Sequence, residues 1–339
     1  MPRNDDQART AGRAPPLVTI GLPVYNGERH LRETLEALLA QEFQDYELLI
    51  SDNASTDGTE RIAREFAGRD RRISYQRNAE NLGSVQNFQL LVDRARGTYF
   101  IWAGAHDHWA PTFLPKCVAA LEREPSAVLC YSQSYSISED DRVVGSMPEQ
   151  FATVGLSLRG RYSMTIWRLH DYVIYGLHRL SALRQTRRLA RVTGPDDLTL
   201  AELALLGPVV CLPERLFYFR VMNQTGNVRD YLRRMNLRLT WWNPPLLVLA
   251  HVRLKLAAIG RHVPGAGDRF LLSLSALARG SKMLVGLTVT GWAALCCPGL
   301  LARMNQALYR HQAARDAAEE ARRRAAPTAG TPRGGKEST

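Results

Sequence analysis

The chain of 339 residues reads as an α/β protein, a Rossmann-like, doubly wound and mostly parallel sheet followed by a helical C-terminal extension. Three observations predict this. Short runs rich in β-branched residues alternate with amphipathic stretches from Leu17 to Ile137, the signature of strands joined by right-handed helical crossovers. The pattern changes after Gln150, where the chain becomes rich in Arg and Tyr. From Tyr231 onward it is helix-like, broken at Pro244-Pro245. The expected organisation is a loose arm over 1–16, one α/β domain over 17–225 divided near residue 110, a helical extension over 226–311 and a disordered tail over 312–339.

The first strand is LVTIGLPVYN, closed by Pro23, Asn26 and Gly27. A helix follows from Glu28 to Gln41, with Leu31, Leu35, Leu38 and Leu39 on one face and Asn26 placed as its cap. YELLISD is the second strand, ending at Asp52, and NASTDGT leads into a helix from Thr59 to Ala67. RISYQ, the helix Ser84 to Ala95 and the strand TYFIWAG repeat the order, and the last runs into His106-Asp107-His108. A helix from Pro111 to Glu124 and the strand AVLCYSQSYSI extend the sheet, with EDDR as a turn. GPDDLTLAELALLGPVVCLPERLFYFRV reads as loop, amphipathic helix, strand and edge segment.

Composition excludes whole classes. With 45% hydrophobic and 23% charged residues, the chain is neither disordered nor fibrous. Cys117, Cys130, Cys211, Cys296 and Cys297 are odd in number and lack Cys-x-x-Cys spacing, which points to a reduced, cytoplasmic chain without a zinc knuckle. Met1 to Pro16 is polar and has no apolar leader-like stretch. The net charge of +11 suggests nucleic acid, but its distribution does not. Residues 1–150 carry 16 Lys and Arg against 22 Asp and Glu, whereas 151–310 carry 22 against 7. A basic half without a DNA- or RNA-binding motif suits an anionic small ligand or an anionic membrane better, so no nucleic-acid partner is expected.

Met283 to Ala302 is uncharged over a length close to that of a bilayer span, with Gly286, Gly291, Pro298 and Gly299 interrupting it. Three readings stay open there: a spanning helix, an interfacial helix giving peripheral membrane association, and a packed terminal helix.

The first strand-to-helix turn, PVYNGE, lacks the Gly-x-Gly-x-x-Gly that lets backbone approach a dinucleotide, which disfavours a nicotinamide enzyme. Neither a P-loop nor a Gly-x-Ser-x-Gly elbow is present, which removes P-loop kinases and the usual serine hydrolases. Ligands of such sheets sit beyond the carboxyl ends of the strands. Pro23, Tyr25, Asn26, Asp52, Asp57, His106, Asp107 and His108 all fall there. A ring that stacks and a carboxylate that accepts a base N–H suit a nucleotide, and a carboxylate beside an imidazole suits a cation on a diphosphate.

LVTIGLPVYNGERHLRETLEALLAQ, YELLISDNASTDGT and RNAENLGSVQNFQLLVDRARGTYFIWAGAHDHWAP together resemble the family 2 glycosyltransferases, over Leu17 to Val221. The resemblance implies a GT-A fold, with 17–110 the nucleotide-binding half and 111–225 the acceptor half. It also implies single-displacement, inverting transfer of a sugar from a nucleoside diphosphate to a hydroxyl acceptor (a glycan, a lipid-linked compound or a small molecule), as in cell-wall, polysaccharide or natural-product glycosylation. By the same resemblance Tyr25 and Asp52 hold the base, and Arg77 and the turn Asn81-Leu82-Gly83 line the same pocket. Asp107 stands where the family keeps its Asp-x-Asp carboxylate, Arg220 in LFYFRV is an anion partner, and Asp196 in GPDDLTLAELALLG is the catalytic base. YGLHRLSALR resembles the segment beside the acceptor, with His178 and Arg179 available.

The departures bear on the metal. Ala105 replaces the first Asp, His108 stands where a further acid often follows, and Asn223 replaces a histidine after LFYFRV. The implied cation, Mn²⁺ or Mg²⁺, is left with Asp107 and His108 as ligands; alternatively, arginines of the basic half neutralise the diphosphate. Plainer roles stand beside these: Asp52 as an Asx cap of its loop, Asp196 as N-cap of a helix beginning near Leu198, and the histidines as ordinary hydrogen-bonded strand ends. At the level of the whole protein, the alternative is a degenerate, non-catalytic nucleotide-sugar-binding or assembly protein.

Overall fold

The computed structural model describes residues 14–147, 151–168, 170–190, 192, 194–221 and 244–296. Strands β1 (Val18–Val24), β2 (Tyr46–Asp52), β3 (Ile73–Arg77) and β4 (Tyr99–Trp102) alternate with helices α1 (Leu31–Leu39), α2 (Thr59–Arg69) and α3 (Ser84–Arg94). These four strands are parallel in the order β3-β2-β1-β4, the predicted doubly wound half. All seven residues of β1 and of β2 are buried, as expected of parallel strands covered on both faces.

The sheet continues through β8 (Leu177–Arg179), antiparallel to both β4 and β6 (Leu129–Ile137), and then to β9 (Val209–Arg220), parallel to β6. The two-residue β5 (His108–Trp109) pairs with β9, and β7 (Val143–Ser146) folds back on β6 beyond the EDDR turn. Helix α4 (Phe113–Arg123) precedes β6. Helix α5 (Leu158–Arg168), the 3-10 turn Asp171–Tyr175 and the short α6 (Leu180–Leu183) occupy the Arg- and Tyr-rich stretch. Helix α7 is Pro195–Leu206, and α8 (Pro244–His262) and α9 (Ala266–Cys296) form a hairpin.

Several expectations are corrected. Helix α1 begins at Leu31 rather than Glu28, because Asn26 (φ 51°) and Glu28 are bonded to the second loop instead of capping a helix. Strand and edge segment are one strand, β9; its register against β6 slips at Pro213 and Glu214, where a proline has no N–H for a ladder. Helix α7 is not amphipathic, since nine of its twelve residues are buried. It lies between two cores, giving Leu200 and Leu203 to the main one and Ala201, Ala204 and Leu205 to a second. That second core joins Tyr162 and Ile166 of α5, Ala258 and Ile259 of α8, and Leu272 and Ala276 of α9. The two hairpin helices approach closely at Gly280, where a Cβ would fall 2.3 Å from Val252 Cγ2.

Among the described residues no helix is long and apolar enough to cross a membrane. The expected arm before residue 14, the tail 312–339, Asn223 and the part of Met283–Ala302 beyond Cys296 lie outside the described residues.

Candidate functional site

The loops after β1 and β2 are stitched together. Asn26 N–H donates to Ser55 Oγ (2.9 Å) and its side-chain oxygen accepts from Thr56 N–H (2.8 Å). Gly27 N–H donates to Thr59 Oγ1 (2.8 Å), and Glu28 N–H to Asp57 Oδ2 (3.1 Å). Burial works to raise the Asp57 carboxyl, but the Thr59 hydroxyl and backbone N–H groups outweigh it and hold it low. Asn26 and Asp57 therefore build the loops, and Pro23 is buried in β1 opposite Ser51. Tyr25, half exposed at 50%, is carried on this platform.

Asp52 is fully buried at the carboxyl end of β2. Its Oδ1 accepts from Ser55 N–H (2.8 Å), the Asx turn of the plainer reading, and its Oδ2 accepts from Tyr75 OH (2.7 Å). Burial and that bond push the Tyr75 phenol well above its usual range. Arg77 donates to the Ser55 carbonyl (2.9 Å) and lies 3.9 Å from Asp52 Oδ2. Asn81 accepts from Asn53 Nδ2 (2.8 Å) and from Gly83 N–H (2.9 Å), and Gly83 takes a positive φ of 82°. The structure thus brings Asp52, Arg77, Asn81 and Gly83 together and adds Tyr75 and Asn53. Neither was singled out in the sequence, because their roles depend on pairing between β2 and β3.

Asp107 follows β4 and is also fully buried. Its Oδ1 accepts from Arg220 N–H (2.8 Å), while Oδ2 has no hydrogen-bond partner. Desolvation pushes its carboxyl up, against the pull of His106 and Arg220. Gly104 packs against this carboxylate, since a Cβ there would meet Asp107 Oδ2 at 2.3 Å and force it to shift. Arg220 is 1% exposed, and Nε and Nη1 donate to the carbonyls of His106 and Ser138 (2.7 Å each). Its Nη2 lies 2.6 Å from His108 Nε2 and also bonds Asp141. The guanidinium predicted as an anion partner is thus directed at protein acceptors and clamps the loop 106–108 to β9. His106 lies at the rim, 3.9 Å from Asp107 Oδ1.

The fit of a divalent cation differs for the two predicted ligands. His108 Nε2 is flanked by Arg220 at 2.6 Å and Asp141 Oδ1 at 2.8 Å, so a cation there would meet a guanidinium. Asp107 Oδ2, buried and without a donor, suits a proton or a cation. Among the described residues no group of three or more His, Cys, Asp or Glu is arranged to hold a metal. The donor set therefore fits only an ion that draws most of its ligands from a bound diphosphate, as Mg²⁺ commonly does.

The second cluster lies at the start of α7. Gly194, in the left-handed conformation (φ 64°), is the N-cap and Pro195 the first helical residue, so Asp196 is not the cap. Asp196 is half-buried in the first turn. Asp197 Oδ2 lies 3.0 Å from His251 Nε2 and accepts from Lys255 Nζ (2.6 Å), both buried groups of α8. Burial alone would raise the Asp197 carboxyl, but His251 and Lys255 hold it at about 2. HVRLK spaces these two partners four apart on one helix face, a signal the sequence reading passed over.

His178 and Arg179 are not available to a ligand. His178 is fully buried, its ring packed edge-on to Trp102, with burial pushing its pKa down to about 4. Arg179 donates to the carbonyls of Leu121 and Ala127. A separate cleft of about 1020 Å³ opens at the amino ends of β2 and β3, opposite the predicted site. Two charge pairs lie within it, Arg72 with Asp70 and Arg96 with Glu47.

Comparison with known proteins agrees with this fold. Residues 19–175 match the model of glycosyl transferase family 2. The putative glycosyltransferase EpsE of Bacillus subtilis is 36% identical over 109 residues, 32% of this chain and 39% of its own length, so the match spans well under half of that relative. Among solved structures, S. aureus TarS 1-349 in complex with UDP-GlcNAc superposes with a TM-score of 0.60 at 16% identity, covering 83% of this chain and 76% of its own. The mannosyltransferase PcManGT of Pyrobaculum calidifontis, in complex with GDP-Man and Mn²⁺, gives 0.53 at 17% identity, covering 91% and 86%. At these identities the structural likeness carries the fold. Over residues 19–175 the chain is thus similar to glycosyl transferase family 2, and its architecture is of the GT-A type.

Proposed function

We propose that the protein transfers a sugar from a nucleoside diphosphate to a hydroxyl acceptor in one inverting displacement. The observation that carries this is the burial of Asp107 with one carboxylate oxygen lacking a donor, beyond β4. Asp52 ends β2, and β1 with Tyr25 at its end lies between them. Two strand spacings separate β2 from β4, roughly 10 Å. In this reading Tyr25, Asp52, Arg77, Asn81 and Gly83 hold the nucleoside, and Asp107 meets the ribose and diphosphate. Asp196 takes the proton of the acceptor hydroxyl as its oxygen bonds to the anomeric carbon; the bond from that carbon to the diphosphate breaks on the opposite face, releasing the nucleoside diphosphate. Any bound Mn²⁺ or Mg²⁺, held by the diphosphate and Asp107, would supply positive charge to the leaving group. Without it, the buried Arg220, whose backbone N–H meets Asp107 Oδ1, keeps a positive charge beside that carboxylate.

Support for nucleotide-sugar use comes from the family match and from the ligands named for TarS and PcManGT. The reading includes a cytoplasmic location with peripheral membrane contact.

Calorimetry with UDP, GDP and dTDP, with and without Mn²⁺, followed by donor turnover, tests the proposal. Binding of one nucleotide together with turnover of its sugar supports it, and binding of none refutes it. Ala105 at the place of an acid favours a second reading, a degenerate binder or assembly partner. Binding without turnover across hydroxyl acceptors would select that one.

A further inference from the structure

Helix α9 is apolar on two sides. Leu272 and Ala276 are 1% and 0% exposed in the second core, whereas Phe270 (64%), Leu271 (42%), Leu274 (47%) and Leu277 (46%) line the other side. Helix α8 adds Leu246 (53%) and Leu249 (62%). A helix on the surface of a soluble domain normally turns charge outward instead.

Charge accompanies this face. Residues 244–296 hold six Lys and Arg and a single acid, Asp268, which is paired with Arg159. Arg253, Arg261, Arg269 and Lys282 are exposed. At the edge Trp167 donates from its indole N–H to Ser275 Oγ (3.3 Å), with Arg279 and Lys282 over its ring at 5.8 and 5.9 Å. Exposed Leu and Phe, an amphipathic ring at the margin and an almost pure excess of cations match a surface whose interior is hydrocarbon and whose headgroups are anionic.

We infer that the outward face of the α8–α9 hairpin docks the protein on an anionic lipid bilayer, lying on the membrane rather than spanning it. The inference deepens the peripheral membrane contact of the proposed reading and rests on that part of it alone, not on the proposed chemistry. It also gives the hairpin a second duty, since the same α8 holds Asp197 at the start of α7.

The test is flotation of the full chain with vesicles of phosphatidylcholine alone or mixed with phosphatidylglycerol. The wild type should float with the anionic vesicles and release as salt rises. Replacing Phe270→Ser and Leu274→Ser together should lower partitioning at least about tenfold, with the melting temperature unchanged because both side chains face solvent. A charge-reversed pair, Arg253→Glu with Lys282→Glu, should lose the preference for anionic vesicles. The inference falls if the wild type stays in the soluble fraction with anionic vesicles at low salt, or if either pair floats as the wild type does. It also falls if light scattering finds a dimer that Phe270→Ser with Leu274→Ser turns into monomer, since a second copy would then cover the face.

Discussion

Lys255 Nζ lies 2.6 Å from Asp197 Oδ2, the lysine buried between α8 and α7 and the carboxylate partly exposed. Removing the lysine leaves the carboxylate with His251 alone, and losing one partner of such a charged, partly buried group costs about 1–3 kcal/mol. Lys255→Met should therefore lower the melting temperature sharply. Adding Asp197→Asn should restore part of the loss, because the two sites are coupled. If Asp196 is the base, Lys255→Met should also lower kcat while leaving the donor dissociation constant unchanged, measured on the folded fraction.

The same carboxylate predicts an acid dependence. The folded pKa of Asp197 is depressed to about 2 from an ordinary value of 3.8, so its stabilisation is complete above the ordinary value and lost as pH falls from there through about 2. The contribution is on the order of 2 kcal/mol. Chemical unfolding from pH 6 down to the acid limit checks this: wild type and Asp197→Asn should differ most at the upper end and converge in acid. A constant gap across the range would contradict it.

Gly104 is held small by a side chain rather than by its backbone. Gly104→Ala places a methyl 2.3 Å from Asp107 Oδ2, so it should destabilise by about 1–3 kcal/mol and weaken nucleotide binding together. Thermal melts paired with calorimetry decide; loss of neither would mean the carboxylate can turn away without consequence.

Asp52 carries two roles that one substitution separates. As a cap alone, Asp52→Asn would lower stability and leave nucleotide affinity of the folded protein intact. As the base-binding carboxylate, it should cost about tenfold or more in affinity, some 1.4 kcal/mol, measured by calorimetry. Tyr75→Phe removes the partner of Oδ2 and is expected to weaken binding less, since Asp52 keeps its bond from Ser55.

The parallel half was legible because its strands and helices announce themselves locally: Leu31, Leu35 and Leu38 recur at helical spacing, and YELLISD is a buried run. β5, β7 and β8 were not, because two to four residues carry no period and exist only through partners far along the chain. Asp52 and Asp107 were singled out by their places at strand ends and by family resemblance. Tyr75, His251 and Lys255 were missed, since nothing local in a lysine says that it will be buried against an aspartate. Arg220 was singled out, but its guanidinium meets other neighbours than expected, because its acceptors come from two loops distant in the chain, the one after β4 and the β6–β7 turn.

The central claim is that the strand ends around Asp107 hold the diphosphate of a nucleotide sugar. A panel of UDP-, GDP- and dTDP-sugars, assayed for binding and hydrolysis by the wild type and by Asp107→Asn of matched melting temperature, tests it most directly. One donor should bind and turn over in the wild type, and the variant should lose about two orders of magnitude or more in turnover, near 2.7 kcal/mol. Full activity in Asp107→Asn would contradict the account.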